Sequence, residues 1–362
     1  MDWNRFFKSE LEPVQAYQPG LREEQIREIA QTSDIHKLSS NENPNPPFPS
    51  ALKAMQECLA DLNEYPDGSC FELKNGISAE YGVPFEEIIV GNGTNELLIL
   101  LAEACLTPGS RVAYCWPSFI VYRMGAQITG TGFDEVPLTA DGRFDVDALL
   151  GAITPETKMV ILASPNNPTG GIITQSEFAR FMASVPDHVL VVLDLAYREF
   201  VMTDEHMDPM DFYDGKKPLV VLQTFSKIYG LAGIRVGYGF APKEVVRIID
   251  KLREPFNVNT VAQVAALACL GQAEELELRR KENARERALL CQAFDDLGLK
   301  YFPSHANFVW VFVPEPEKTF EDLLKQGVIV RPFPGGGGLR VGVGNDENTR
   351  ATINAFTQLF GS

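Results

Sequence analysis

Histidine and cysteine are scarce in this 362-residue chain, with four and six copies, and neither type clusters. Cys58, Cys70, Cys105, Cys115, Cys269 and Cys291 lie scattered without paired spacing. A disulfide framework and a zinc site are therefore not expected, and the spacing suits buried free thiols in a reducing cytosol. No other metal-ligand cluster stands out. Long hydrophobic runs are also missing: nothing approaches the ~20 apolar residues of a membrane span. The stretch Met1–Lys8 offers no apolar core for a signal peptide. Positive charge is in deficit, with 32 Lys and Arg against 49 Asp and Glu and a net charge of -17. Such a field repels nucleic-acid phosphates and anionic lipid, so neither is expected as a partner. Any anionic ligand must be held by a few local Arg, Lys or backbone N–H groups. The expectation is a cytoplasmic globular protein that works on small molecules.

What is present divides the chain into three. Residues 1–48 carry an amphipathic stretch near Leu21–Ala30 and then Ser39-Ser40-Asn41-Glu42-Asn43-Pro44-Asn45-Pro46-Pro47. Its prolines rule out helix and central strand, so it reads as an ordered arm that joins the smaller domain. Over 49–255, apolar runs at Glu87–Val90, Arg111–Cys115, Lys158–Ala163, Val189–Asp194 and Pro218–Thr224 alternate with amphipathic segments. That alternation predicts an α/β domain around a mainly parallel sheet, with its active groups at the carboxyl ends of the strands. Over 256–362 a long helical run, Thr260–Leu297, precedes strand candidates at Phe308–Val313, Val328–Arg331 and Leu339–Val343, as in a smaller α+β domain. The glycines Gly335–Gly338 read as a flexible turn.

Asn167, Asp194 and Lys227 each lie just past the end of a predicted strand. Singly, they read as a turn, a helix cap and a solvated lysine. Together they suit pyridoxal 5'-phosphate (PLP). Its aldehyde needs an amine, which Lys227 supplies. Its pyridine nitrogen needs a carboxylate to stay protonated, and Asp194 closes a fully apolar strand. Its phenolate oxygen needs donors, which Asn167 and Tyr197 carry. Its phosphate needs N–H groups at a helix start, offered by Gly93, Thr94 and Asn95, together with Thr224, Ser226 and Arg235.

Ser164-Pro165-Asn166-Asn167-Pro168-Thr169-Gly170, Asp194-Leu195-Ala196-Tyr197 and Thr224-Phe225-Ser226-Lys227 with Arg235 follow in this order. This pattern resembles the fold-type I, class I/II PLP-dependent aminotransferases. Within them, Leu38–Pro44, Tyr65-Pro66-Asp67-Gly68, Gly91–Glu96 and Leu339–Gly344 are most similar to the histidinol-phosphate aminotransferase family. The resemblance implies a ping-pong cycle through a Lys227 Schiff base, converting histidinol phosphate and 2-oxoglutarate to imidazole acetol phosphate and glutamate in histidine biosynthesis. It implies that Phe119 stacks on the pyridine ring, and that Tyr65 reaches the cofactor phosphate of a partner subunit in a homodimer. It implies that Arg340 clamps an α-carboxylate, and that Tyr17, Asn43 and Arg331 line the substrate pocket with Asn167. Two further readings are an aromatic amino acid aminotransferase and a threonine-phosphate decarboxylase-like enzyme. A Rossmann dehydrogenase fits less well, because Gly91 and Gly93 are followed by Glu96 and no third glycine.

Overall fold

This computed structural model describes residues 3–12, 14, 16, 23–30, 32–333 and 336–361. The arm contributes β1 (His36–Lys37). Then β2 (Ile88–Gly91), β3 (Arg111–Trp116), β4 (Gly132–Pro137), β5 (Thr157–Ala163), β6 (Leu190–Asp194), β7 (Leu219–Thr224) and β8 (Gly237–Phe240) build one sheet in the order β2-β8-β7-β6-β5-β3-β4. Only β8 runs against its neighbours β2 and β7; the remaining pairs are parallel. Every residue of β7 is buried, and so is all of β6 after Leu190, which is why both read as unbroken apolar runs. The fold is therefore α/β with a mainly parallel sheet, as the alternation predicts.

The runs in sequence foretell β2, β3, β5, β6 and β7 but not β4 or β8. β4 is a half-buried edge strand whose Asp134 and Glu135 are neutralised sideways by Arg111 and Arg123. β8 alternates glycine with aromatics because backbone passes too close for a side chain. A Cβ on Gly237 would lie 2.6 Å from the Thr94 amide nitrogen, and one on Gly239 2.5 Å from the Val221 carbonyl oxygen.

Beyond this sheet lie β9 (Phe308–Phe312), β10 (Val328–Ile329), β11 (Arg331–Pro332) and β12 (Gly338–Gly342). β11, β12 and β9 form an antiparallel sheet, while β10 pairs with β1 of the arm, His36 facing Val328. The long helical run breaks into Thr260–Cys269 and Ala273–Asp296 at Gly271, whose φ of 71° ends the first helix. Val258, Ala262, Ala265, Ala266 and Cys269 pack into the large core. Leu290 and Phe294 instead join Leu38, Val309, Val341 and Phe356 in a second core. Helix Ala273–Asp296 thus reaches the second core, while Ala306 and Phe308 after it return to the large one.

The glycine turn is only partly what the sequence suggests. Gly336 and Gly338 are there because the Trp310 ring fills the space beside them: a Cβ on either would lie 2.7 or 2.5 Å from it. Pro334 and Gly335 fall outside the described residues. All six cysteines are free thiols, with Cys70, Cys115 and Cys269 buried.

Candidate active site

Three adjacent strands, β5, β6 and β7, end side by side, and their carboxyl ends carry the predicted residues. Ala163 faces Asp194 and Asp194 faces Leu222 in the parallel register. Asn167, Asp194 and Lys227 are thereby brought to one edge of the sheet, where α/β folds place their ligands. Lys227 lies in the turn after β7, which closes through a hydrogen bond from the Gly230 amide to the Lys227 carbonyl. Its Nζ stands 5.4 Å from the centre of the Tyr197 ring and donates to the Ser40 carbonyl at 3.2 Å.

Asp194 is buried, and burial pushes its carboxyl up from the ordinary range. Three influences act the other way: the Tyr122 hydroxyl donates to Oδ2 at 2.8 Å, the Ala196 amide donates to Oδ1 at 3.1 Å, and the Lys227 charge is near. Tyr197 sits edge-on to Phe308, ring centres 5.0 Å apart, and its hydroxyl accepts from Asn41 Nδ2 at 3.0 Å.

A second cluster surrounds the start of helix Thr94–Cys105. Gly93 caps it with φ 82°, a conformation that disfavours any side chain. A Cβ there would also lie 2.5 Å from Nη2 of Arg235. The Arg235 guanidinium in turn donates to the Ser226 hydroxyl at 3.2 Å and to the Ala232 carbonyl at 3.0 Å. Thr224 accepts from the Ser226 amide at 3.0 Å, holding that turn in place. Arg235 itself adopts a left-handed backbone, φ 61°. Helix-start N–H groups, two hydroxyls and a guanidinium lie close together here, a set of donors that could hold an anion.

The arm and the small sheet close the other side. Arg340 is buried and donates to Asn167 Oδ1 and to the Ser39 carbonyl. Arg331 lies directly opposite Arg340 across β11 and β12, so the two side chains share one face. Asn43 ties the arm to the lysine turn by donating to the Ile228 carbonyl at 2.8 Å. Phe119 is half-buried and packs edge-on to Tyr122, ring centres 5.9 Å apart. Tyr65 does not join this cluster: it is 82% exposed, its ring stacked on Phe256 at 4.7 Å. Tyr17 lies outside the described residues.

Residues 33–356 match the family described as Aminotransferase class I and II. The chain belongs to the class I and II aminotransferases. Among its relatives, a histidinol-phosphate aminotransferase of Moorella thermoacetica is 40% identical over 96% of this chain and 91% of its own length. An aromatic amino acid aminotransferase of Streptomyces coelicolor is also 40% identical, over 94% of this chain and 93% of its own. The solved histidinol-phosphate aminotransferase of Sinorhizobium meliloti, in complex with pyridoxal-5'-phosphate, shares the fold with a TM-score of 0.89. It is 24% identical, with 98% of this chain and 97% of that one covered. For this aminotransferase the dehydrogenase alternative is thereby set aside.

The sequence reading missed two residues of the site. Asn41, buried with φ 55°, reaches Tyr197 from the arm; an Asn in a Pro-rich stretch carries a weak signal of such a conformation. Tyr122 on helix Val121–Thr129 reaches Asp194, and nothing local in the sequence marks it.

Proposed function

We propose that this aminotransferase uses PLP, with Lys227 as its attachment point, and acts on histidinol phosphate with 2-oxoglutarate. The observation that carries the reading is the convergence of Lys227, Asp194 and the Gly93–Arg235–Ser226 cradle at one edge of the sheet. The donor set fits the cofactor: an amine, a buried carboxylate held by two N–H or O–H donors, and an anion cradle whose space a Cβ at Gly93 would fill. Bound there, PLP supplies an aldehyde and a pyridinium ring that takes up the electrons freed when a Cα proton leaves.

The chain's own groups do the rest. Lys227 Nζ takes the substrate's Cα proton as general base and gives it back as general acid, and the Tyr197 ring and Ser40 carbonyl keep it in place. Asp194 holds the ring nitrogen protonated. Asn167 and Tyr197 donate to the phenolate oxygen, and Thr224 joins Ser226 and Arg235 at the phosphate along with the Thr94 and Asn95 amides. Phe119 flanks the ring. Arg340 takes a carboxylate and Arg331 beside it takes the distal phosphate or second carboxylate, two cations side by side in a chain of net charge -17. Asn43 acts by fixing the arm against the lysine turn.

Tyr65 and Phe256 are exposed and stacked on each other, a pair that a second copy of the chain would cover, delivering Tyr65 to the neighbouring cradle. No helix among the described residues is long and apolar enough to cross a membrane. Six free thiols suit the cytoplasm.

Aromatic amino acid transamination is the second reading. The Streptomyces coelicolor relative and the rings of Phe308 and Phe333, 5.6 and 5.7 Å from the Arg340 guanidinium carbon, favour it. Rates with histidinol phosphate and with phenylalanine, 2-oxoglutarate as acceptor, decide between them. Preference for histidinol phosphate is expected, and faster turnover of phenylalanine would replace the first reading with the second.

A further inference from the structure

We propose that Tyr122 is a positioning residue for the cofactor: its hydroxyl fixes the Asp194 carboxylate in the orientation in which it meets the ring nitrogen. The inference rests on the PLP reading above. It starts from a bond that packing has made rigid. Tyr122 is the second residue of helix Val121–Thr129 and is buried, with its hydroxyl 2.8 Å from Asp194 Oδ2.

Its ring is held on two sides. Tyr114 of β3 lies 5.9 Å away at 64°, and Phe119, the residue expected against the cofactor, lies 5.9 Å away at 87°. Tyr114 is itself anchored, donating to Glu135 at 2.9 Å, and Glu135 also accepts from Arg123. Tyr122 therefore joins two elements of the site, the ring-flanking Phe119 and the carboxylate of β6, through a single clamped side chain.

The direction of the bond follows from chemistry. Burial and the neighbouring carboxylate push the Tyr122 phenol well above its usual value, so it keeps its proton and donates it to Asp194, while its oxygen can still accept from Ser118. Asp194 then has one fixed donor on each oxygen, Tyr122 on Oδ2 and the Ala196 amide on Oδ1. The two bonds together fix both the position of the carboxylate and the plane in which its remaining lone pairs lie. Tyr197 and Lys227 are the other titratable groups that bear on this pair. A hydrogen bond to a charged acceptor is among the strong ones, and losing it leaves a buried carboxylate less stabilised in its ionised form. An Asp194 that ionises less readily holds the ring nitrogen's proton less firmly.

Tyr122→Phe tests this, because it removes one oxygen and keeps the ring that packs on Tyr114 and Phe119. Two quantities are read on purified protein titrated with PLP: the PLP dissociation constant and the pH midpoint of the visible absorption band. We expect the dissociation constant to rise about tenfold, the size of a lost charge-assisted hydrogen bond. The midpoint should move to higher pH, because a ring nitrogen that has lost its positive charge no longer lowers the basicity of the linked Lys227 nitrogen. In an Asp194→Asn background, adding Tyr122→Phe should move neither quantity further, since the tyrosine acts through that carboxylate. Unchanged values in the single variant, or equal shifts in both backgrounds, would overturn the proposal. Failure of the wild-type chain to give any visible band with PLP would instead overturn the cofactor reading itself.

Discussion

Lys227 is half-buried, and its neighbours distinguish it from an ordinary surface lysine. Its amine lies between the Tyr197 ring, just after β6, and the Ser40 carbonyl, which precedes the first long helix. Lys227→Ala should therefore reduce transamination by at least about a thousandfold while leaving the thermal midpoint of the apoprotein nearly unchanged. Retained turnover would remove the lysine from its role. A second residue outside the site offers a test of charge burial. Both carboxyl oxygens of Glu199 are buried and without a hydrogen-bond partner among the described residues. Burial pushes its carboxyl up to about 7 against an ordinary 4.5, with Arg198 and Arg280 only partly offsetting this. Between those two values the folded chain holds a proton that the unfolded chain has lost, so folding stability falls as pH rises through that window. Glu199→Gln should lose less melting temperature than wild type between about pH 5 and about pH 8, removing a penalty of up to about 3 kcal/mol. Parallel melting curves for the two proteins would exclude this role. At this scale the sequence singled out Asn167, Asp194 and Lys227 after strands, and the fold brings them to one end of the sheet. Tyr122 and Asn41 stayed hidden because their importance comes from what the fold puts next to them.

At the level of elements, legibility followed burial where no glycine interrupted the run, since β8 is also fully buried. β6 and β7 are covered on both faces and read directly as apolar runs. β4 escaped because an edge strand can carry Asp134 and Glu135 when arginines flank it, and β8 escaped because Gly237 and Gly239 dilute its apolar character. A similar close approach marks the proposed anion cradle. Gly93 combines a left-handed φ with an arginine pressed against its missing side chain. Gly93→Ala should raise the PLP dissociation constant at least about tenfold, since either the helix start or Arg235 must move. Fluorescence titration of the apoprotein reads this, and an unchanged constant would show that the phosphate lies elsewhere. The Gly336–Gly338 turn teaches the complementary lesson: glycines that look like looseness in sequence are, in part, room for Trp310.

For the molecule as a whole, the exposed Tyr65 makes a dimer prediction that mixing can check. Lys227→Ala and Tyr65→Ala proteins should each be poorly active. If Tyr65 serves the partner's cradle, a mixed dimer contains one site with both residues intact, and an unfolded-and-refolded equal mixture should regain about a quarter of wild-type activity. No recovery, with dimers confirmed by light scattering, would confine Tyr65 to its own subunit. The pairing of β1 with β10 also bears on how the chain comes off the ribosome. His36 emerges early but its partner Val328 is made nearly last, whereas the last strand of the seven-stranded sheet ends at Phe240. The seven-stranded sheet can close while the small core still waits, so Leu38 and its neighbours stay uncovered until the final stretch is synthesised. A nascent chain arrested before Val328 would hold a formed large sheet with His36–Leu38 unpaired, exposed to proteases and chaperones at a segment that the finished protein buries.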